Sequence, residues 1–410
     1  MKAVFLSYAF PPQAAPRAVQ VARLAQYSSL PIRVLCAGSP GPEHVPRVGV
    51  EVMSSPDESS RWWRLAKRLI YLPDSERPWA GRLANKVVNE KLVARDDVLV
   101  TFGQPMSDHL AGLTIKRRLG MPWIAHFSDP WSDNPYLSRN PVSQLRLRNM
   151  ECQVFAAADH LLFTSDETID LVMRKYPAAW RAKTSVLPHA YDPEVGGQIT
   201  PPLERDGRLV LRHLGNFYGR RNPLMLVEAL VLLRRTQPSM LDNVKIELIG
   251  RWVGHERWSS ADSGLPETLL SFRKSIEYQE SLHKMRSADA LLIIDAPFEQ
   301  NVFFPSKLVD YLWARRPILA LTPPGTSAGI VTAAGGLVAS PETPETVAGG
   351  LSDMIRRLRA GTIGAPNEEV VQRYDARRIA EVFDRLVKEL SHSSKSDIVR
   401  RDEDRSVARA

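Results

Sequence analysis

The sequence predicts an α/β fold with parallel sheets, built as two consecutive halves. Short apolar runs alternate with longer amphipathic ones almost from end to end, the pattern of strands joined by crossover helices. The alternation breaks at residues 193–207 (PEVGGQITPPLERDG), which are rich in Gly and Pro and carry no apolar period, and it restarts directly afterwards. The length of 410 residues suits two or three domains, each able to bury its own core.

Taken in order, residues 2–8 read as a first strand, 11–16 as a loop, and 17–27 as a helix burying Val21, Leu24 and Ala25. Residues 32–36 are the second strand. Further strands fall at 97–101, 123–127 and 160–164, the last after a helix over 144–157. Beyond the break, 208–215 is a strand, 223–235 a helix and 244–250 a strand. A helix over 278–286 precedes a strand at 288–295. A helix over 306–314, a strand at 317–321 and one further α/β step complete two Rossmann-like halves with no detectable sequence repeat. The expected organisation is a first domain over 1–192, a linker over 193–207 and a second domain over 208–375. A C-terminal helix over 376–390 is expected to pack near the domain junction. The last stretch, 391–410, mixes serines with both charges and is expected to be a disordered tail.

Composition narrows the function. Hydrophobic residues at 44% and charged residues at 24% are ordinary for a folded enzyme and exclude wholesale disorder. Cys36 and Cys152 are too few for a disulfide framework or a structural zinc site, and they fit a reducing cytoplasm. No run approaches the ~18 apolar residues of a transmembrane helix, and the opening MKAVFLSYAFPP is too short in its apolar run for a signal peptide. Lys+Arg 54 against Asp+Glu 46 leaves a net charge of +8, compatible with nucleic acid, an anionic membrane or a phosphate-bearing substrate. No dinucleotide fingerprint, P-loop, zinc-ligand cluster or nucleophile elbow is present. The one D-x-D triplet, Asp402 to Asp404, lies in the charged tail, so a metal-dependent nucleotide-sugar site built on that motif is not expected.

The strongest local signal is residues 303–320 (FFPSKLVDYLWARRPILA), a loop entering a helix. Pro305 is expected near the first turn and Ser306 as a cap, so the free N–H groups and the helix dipole would make an anion site. Leu308 and Leu312 share the buried face, while Lys307 and Asp310 fall toward the carboxyl ends of the strands. By spacing alone, an ordinary capped amphipathic helix with a surface lysine fits equally well.

The segment resembles the P-S-K-L-x-E-Y-L-A-x-G-x-P-[IV]-L-A block of GT-B glycosyltransferases of family 4, of the kind that builds bacterial surface polysaccharides. Residues 213–223 (HLGNFYGRRNP) are similar to the glycine-rich turn opening that family's second domain, and 276–282 with 285–292 to its base-binding loop, helix and strand. In the first half, Phe10-Pro11-Pro12 with Arg17, Leu72-Pro73-Asp74 with Trp79, and residues 121–133 (MPWIAHFSDPWSD) resemble its strand–loop–helix and acceptor-domain blocks. Residues 188–193 (PHAYDP) stand where many members read P-N-G-V-D. The likeness spans about residues 1–390.

That resemblance implies two Rossmann-like domains facing across a cleft, a nucleotide-sugar donor bound mainly by the second, a glycan or polyprenyl-linked acceptor bound by the first, and no cofactor. It places Arg221, Lys307, Ser306 and Gly215 on the donor diphosphate, Asp310 on the ribose hydroxyls and Ile276 on the base. Asp129 and His126 become the catalytic candidates, with Arg17 and Ser128 on the acceptor side. His126 shares a strand face with Ser128, and it is either a group touching the acceptor or a buried structural histidine. Three departures stand out: Val302 where the family's first Glu stands, Asn216 in place of the clamp's Arg, and Gln13-Ala14-Ala15-Pro16 in place of a Gly-Gly loop. Transfer with retention of configuration is the family expectation.

Residues 61–71 (RWWRLAKRLIY) carry four positive charges and no acid. On a helix, Trp62, Leu65, Ala66, Leu69 and Ile70 form one face with the charges around it. It is either an interfacial helix on anionic lipid or a domain helix with its stripe buried. No nucleic-acid motif is present. The expected function is therefore glycosyl transfer, in the cytoplasm or peripherally at the inner face of the membrane. A nucleotide-sugar epimerase of the same architecture and an inactive sugar-binding or scaffolding relative are the alternatives.

Overall fold

The computed structural model describes residues 1–13, 15–38, 48–53, 72–136, 140–195, 207–255 and 259–407. The basic segment 61–71 and most of the stretch 193–207 lie outside them. The chain forms two compact units, Met1–Ala190 with Ala376–Ala410, and Tyr191–Asp375.

The first unit holds a seven-stranded sheet of Ala3–Leu6 (β1), Ile32–Cys36 (β2), Gly49–Val52 (β3), Val98–Gly103 (β4), Trp123–Phe127 (β5), His160–Phe163 (β6) and Thr184–Val186 (β7), in the order β3-β2-β1-β4-β5-β6-β7. Every pairing is parallel, with Ala3 opposite both Ile32 and Val98. The central strands β1, β4 and β5 are buried throughout, which is why they read as continuous apolar runs rather than as alternations. Helices Pro16–Tyr27 (α1), Arg77–Asn89 (α2), Ser107–Leu119 (α3), Pro141–Ala157 (α4), Asp166–Met173 (α5) and Ala178–Arg181 (α6) connect them. The sheet's two faces make two cores. Leu6, Leu99, Trp123 and Phe127 meet Trp79, Leu83, Leu147 and Phe155 on one side. Phe5, Val34, Val100 and Ile124 meet Val21 on the other.

The second unit's sheet runs β10-β9-β8-β11-β12-β13, all parallel. Its strands are Leu209–Leu214 (β8), Val244–Ile249 (β9), Leu270–Arg273 (β10), Ala290–Ile294 (β11), Ile318–Leu321 (β12) and Leu337–Ala339 (β13). Helices Leu224–Thr236 (α7), Tyr278–Arg286 (α8), Ser306–Ala314 (α9), Thr326–Ala333 (α10), Pro344–Ala360 (α11) and Glu368–Gln372 (α12) cover it.

The last helix, Ala376–Val407 (α13), belongs to the first unit, where Ile379, Phe383 and Val387 complete the core around Phe5. Asp384 on its flank accepts hydrogen bonds from Ser28 Oγ at 2.5 Å and from the Ser29 amide at 2.7 Å. The helix continues to Val407, into the stretch expected to be a disordered tail. There each residue only extends a helix already nucleated and packed over 376–390, which avoids the unfavourable first turn.

Candidate active site

In open parallel sheets, ligand crevices form outside the carboxyl ends of the strands where strand order reverses. In the second unit that reversal lies between β8 and β11. Gly215 follows β8 with φ +144°, and a Cβ on it would come within 2.7 Å of Lys307 Nζ. Gly250, after β9, packs so closely that its Cβ would meet the Gly215 carbonyl oxygen at 2.0 Å. Only glycine at both positions lets the strand ends close over the lysine.

Lys307 Nζ lies 3.1 Å from His213 Nε2, and His213 Nδ1 lies 2.9 Å from the Leu292 carbonyl oxygen. A carbonyl only accepts, so Nδ1 carries the hydrogen and Nε2 accepts from the lysine. Burial, reinforced by Lys307, pushes His213 well below the usual histidine range. Lys307 is itself held well below the lysine range, first by burial and then by the neighbouring Arg221, with Asp295 opposing. The Arg221 guanidinium donates to Asp295 Oδ1 at 2.6 Å, and both groups are buried. Asp295 Oδ2 accepts from Asn301 Nδ2 at 2.7 Å and from Thr322 Oγ1 at 2.9 Å. The carboxylate is thus saturated with donors and keeps the arginine fixed and charged.

Tyr311 on α9 ties that helix to the end of β8, its hydroxyl accepting from the Leu214 amide at 2.8 Å. The helix covers the residues expected, Ser306–Ala314, but is capped differently. Pro305 is the N-cap and Ser306 the first helical residue, with no side chain capping it. The Pro305 carbonyl accepts from the Leu308 amide at 2.9 Å, so the capping place falls to Pro305 and not to Ser306. Asp310, 9% exposed, accepts from Tyr278 Oη at 3.2 Å. Ile276, partly buried two residues before Tyr278, packs on the same core as Leu308.

Two of the departures acquire a structural reason. Asn216 does not stand free as a clamp, because its Oδ1 accepts from the Arg251 amide at 2.9 Å and binds three loops together with Ser275. Val302 is buried, and the adjacent Asn301 reaches Asp295 in the network under Arg221.

In the first unit the strand order reverses between β1 and β4. Arg17, on α1, is buried with its guanidinium on the Gly103 carbonyl and Ser128 Oγ and 3.4 Å from His126 Nδ1. Burial lowers Arg17 to about 10, against Asp129 and Asp108, which raise it. His126 is lowered to about 3, mainly by burial and then by Arg17. The adjoining cavity, lined by Gln20, Phe102, Leu187 and His189 among others, measures about 30 Å³. That is room for water and not for a sugar ring. The geometry therefore favours the buried structural histidine of the two readings. Asp129 is half-buried and accepts from Gln104 Nε2 at 3.2 Å.

The structure thus brings Gly215, Arg221, Lys307 and Asp310 around α9 and the β8 end, and Arg17, His126, Ser128 and Asp129 around the β4 and β5 ends. Sequence reasoning missed His213, Asp295, Asn301 and Tyr278. Asp295 had one legible signal, an acid closing an apolar strand. Among the described residues, no group of three or more His, Cys, Asp or Glu could hold a metal ion, and no helix is long and apolar enough to cross a membrane.

Two parallel Rossmann-like sheets, of seven and six strands, define the GT-B class of fold. Solved structures share it over nearly the whole chain. HepE of Anabaena, in complex with UDP and glucose, superposes with a TM-score of 0.65 at 15% identity, covering 95% of this chain and 100% of that one. The lipopolysaccharide outer core galactosyltransferase WaaB gives 0.62 at 14%, covering 95% and 99%. Sucrose-phosphate synthase of Thermosynechococcus elongatus gives 0.67 at 14%, covering 96% and 100%. No family model and no curated protein matches the sequence.

Proposed function

We propose that the chain is a glycosyltransferase of family 4 type, moving a hexose from a nucleoside-diphosphate donor to a glycan or lipid-linked saccharide in the synthesis of cell-surface polysaccharide. The observation that carries this reading is the pair of basic side chains, Arg221 and Lys307, set against the glycine turn at the switch point of the second sheet. HepE, which shares the fold, has been solved with UDP-glucose.

Arg221 pairs two oxygens of the donor diphosphate through its planar fork. Lys307 and the Ser306 and Lys307 amides at the start of α9 take the distal phosphate. Asp310, positioned by Tyr278, accepts from the ribose hydroxyls, and Ile276 lies against the base. On the first unit, Ser128 and Asp129 face the acceptor while Arg17 holds their loop. The bond from the anomeric carbon to the diphosphate oxygen breaks, the acceptor oxygen bonds to that carbon on the same face, and the acceptor's proton passes to the departing diphosphate. Configuration is retained, and the growing charge is met by the two cations and the helix end rather than by a metal. The enzyme works peripherally at the inner face of the membrane, where lipid-linked acceptors are reached.

The test is a thermal-shift screen of UDP, GDP, ADP and their sugars, followed by assay of nucleoside diphosphate release. A ligand held only by the native state at one hundred times its dissociation constant adds about 2.7 kcal/mol. The expected result is one base giving a shift that Arg221→Ala and Asp310→Ala remove, with diphosphate released only when acceptor is supplied. Conversion of the donor without acceptor would make the chain an epimerase. No shift with any nucleotide would leave only the inactive relative.

A further inference from the structure

One face of the first unit's sheet is covered by α2, α3 and α4, and the charge on those helices is one-sided. Their only acids, Asp108 and Glu151, have no exposed surface. Lys86 pairs with Glu51 and Lys116 with Asp159. The remaining cations, Arg77, Arg82, Arg117, Arg118, Arg146 and Arg148, form no ion pair among the described residues. Arg77 donates to the Leu72 carbonyl, Arg117 to Gln153 Oε1 at 3.1 Å and Arg118 to Asn85 Oδ1 at 3.2 Å. These acceptors are neutral, so none of these arginines is neutralised by a carboxylate partner among the described residues.

A cavity of about 380 Å³ opens between the three helices. Each contributes an arginine to its lining, Arg77, Arg117 and Arg146, and no carboxylate lines it. Guanidiniums recognise phosphate oxygens two at a time. Beside the cavity, on α4, stand Leu145, 70% exposed, and Val142, 62% exposed, the most exposed large apolar side chains among the described residues. They lie three residues apart and so project from the same side of the helix. Two apolar side chains next to unpaired cations match the layered chemistry of a bilayer surface, anionic above and hydrocarbon below.

We propose that the α2–α3–α4 face docks on an anionic lipid bilayer, with a headgroup phosphate held in the cavity by Arg77, Arg117 and Arg146 while Val142 and Leu145 enter the acyl boundary. The inference deepens the peripheral part of the reading above, and it depends on no residue of the donor site.

The test is co-sedimentation of the full chain with phosphatidylcholine vesicles, with and without phosphatidylglycerol. Binding is expected only with the anionic lipid and should fall with added salt. Each cation near such a surface is worth about fivefold in affinity. The exposed double change Arg117→Glu and Arg146→Glu should therefore weaken binding by more than roughly tenfold. Val142→Ser with Leu145→Ser should weaken the part that survives high salt. Both doubles should keep the wild-type melting temperature and nucleotide shift, which separates failure of this docking from failure of the donor reading. Equal binding to neutral vesicles would overturn the proposal. So would loss of binding only on neutralising Arg61, Arg64, Lys67 and Arg68, or binding to an acidic polysaccharide with none to vesicles.

Discussion

At the scale of single residues, Lys307 is the group whose state a donor would change most. Its ammonium is enclosed against His213 and a bare glycine, beside Arg221, and it is held well below the lysine range. A bound diphosphate brings negative charge against that amine and raises its pKa. Between the lowered free value and the raised bound value, the complex holds one more proton than the free protein. Donor binding should therefore take up a proton in that window and weaken as pH rises through it. Calorimetry of nucleoside diphosphate binding in buffers of different ionisation enthalpy reads this directly, and Lys307→Met should flatten the buffer dependence. Heats independent of buffer at every pH would show the lysine already charged. Lys307 and Arg221 were legible because motif neighbours announce them. Their partners were not: His213 lies 94 residues from Lys307 and Asp295 lies 74 from Arg221, distances that only the sheet order closes.

At the scale of elements, the site depends on two strand ends that touch through backbone. A methyl group on Gly250 would sit 2.0 Å from the Gly215 carbonyl oxygen, and main chain cannot swing aside as a flexible side chain would. Gly250→Ala should destabilise the second unit by about 1–3 kcal/mol through overpacking. It should also weaken nucleotide binding at least tenfold, roughly 1.4 kcal/mol, by moving Gly215 off Lys307. Gly349→Ala on α11 is the contrast, since its Cβ meets nothing within 4 Å. Alanine there should be neutral or stabilising by up to about 1 kcal/mol. Urea unfolding and nucleotide titration of the two variants test the pair, and equal behaviour would refute the contact. Sequence pattern located the central strands because burial on both faces writes a continuous apolar run. It passed over β3, β7 and β10, edge strands whose runs are only three or four residues long. The bounds of α9, 306–314, were legible in the sequence, but its cap was not: Ser306 is the residue type that caps, and only the carbonyl bond to Leu308 gives that place to Pro305.

At the scale of the whole molecule, the chain leaves the first unit at Ala190, builds the second, and returns at Ala376. The first unit's core is therefore incomplete until the C-terminal helix is made. The sequence showed two halves and a final helix, but not which half the helix completes, since its apolar spacing fits either sheet. Phe383 decides it. The ring is fully buried, edge-on to Phe5 with centroids 5.5 Å apart and planes at 82°. Phe383→Ala removes an aromatic side chain from a closed core and should cost about 3–5 kcal/mol. For a unit of this size each kcal/mol lowers Tm by about 2–4 °C, so the first unit should melt roughly 10 °C earlier. The second unit shares none of that core, and its transition, marked by its upward shift with nucleotide, should stay in place. Differential scanning calorimetry of the full chain with and without nucleotide resolves the two. A loss that instead lowered the nucleotide-shifted transition by the same amount would mean that the units unfold as one cooperative block.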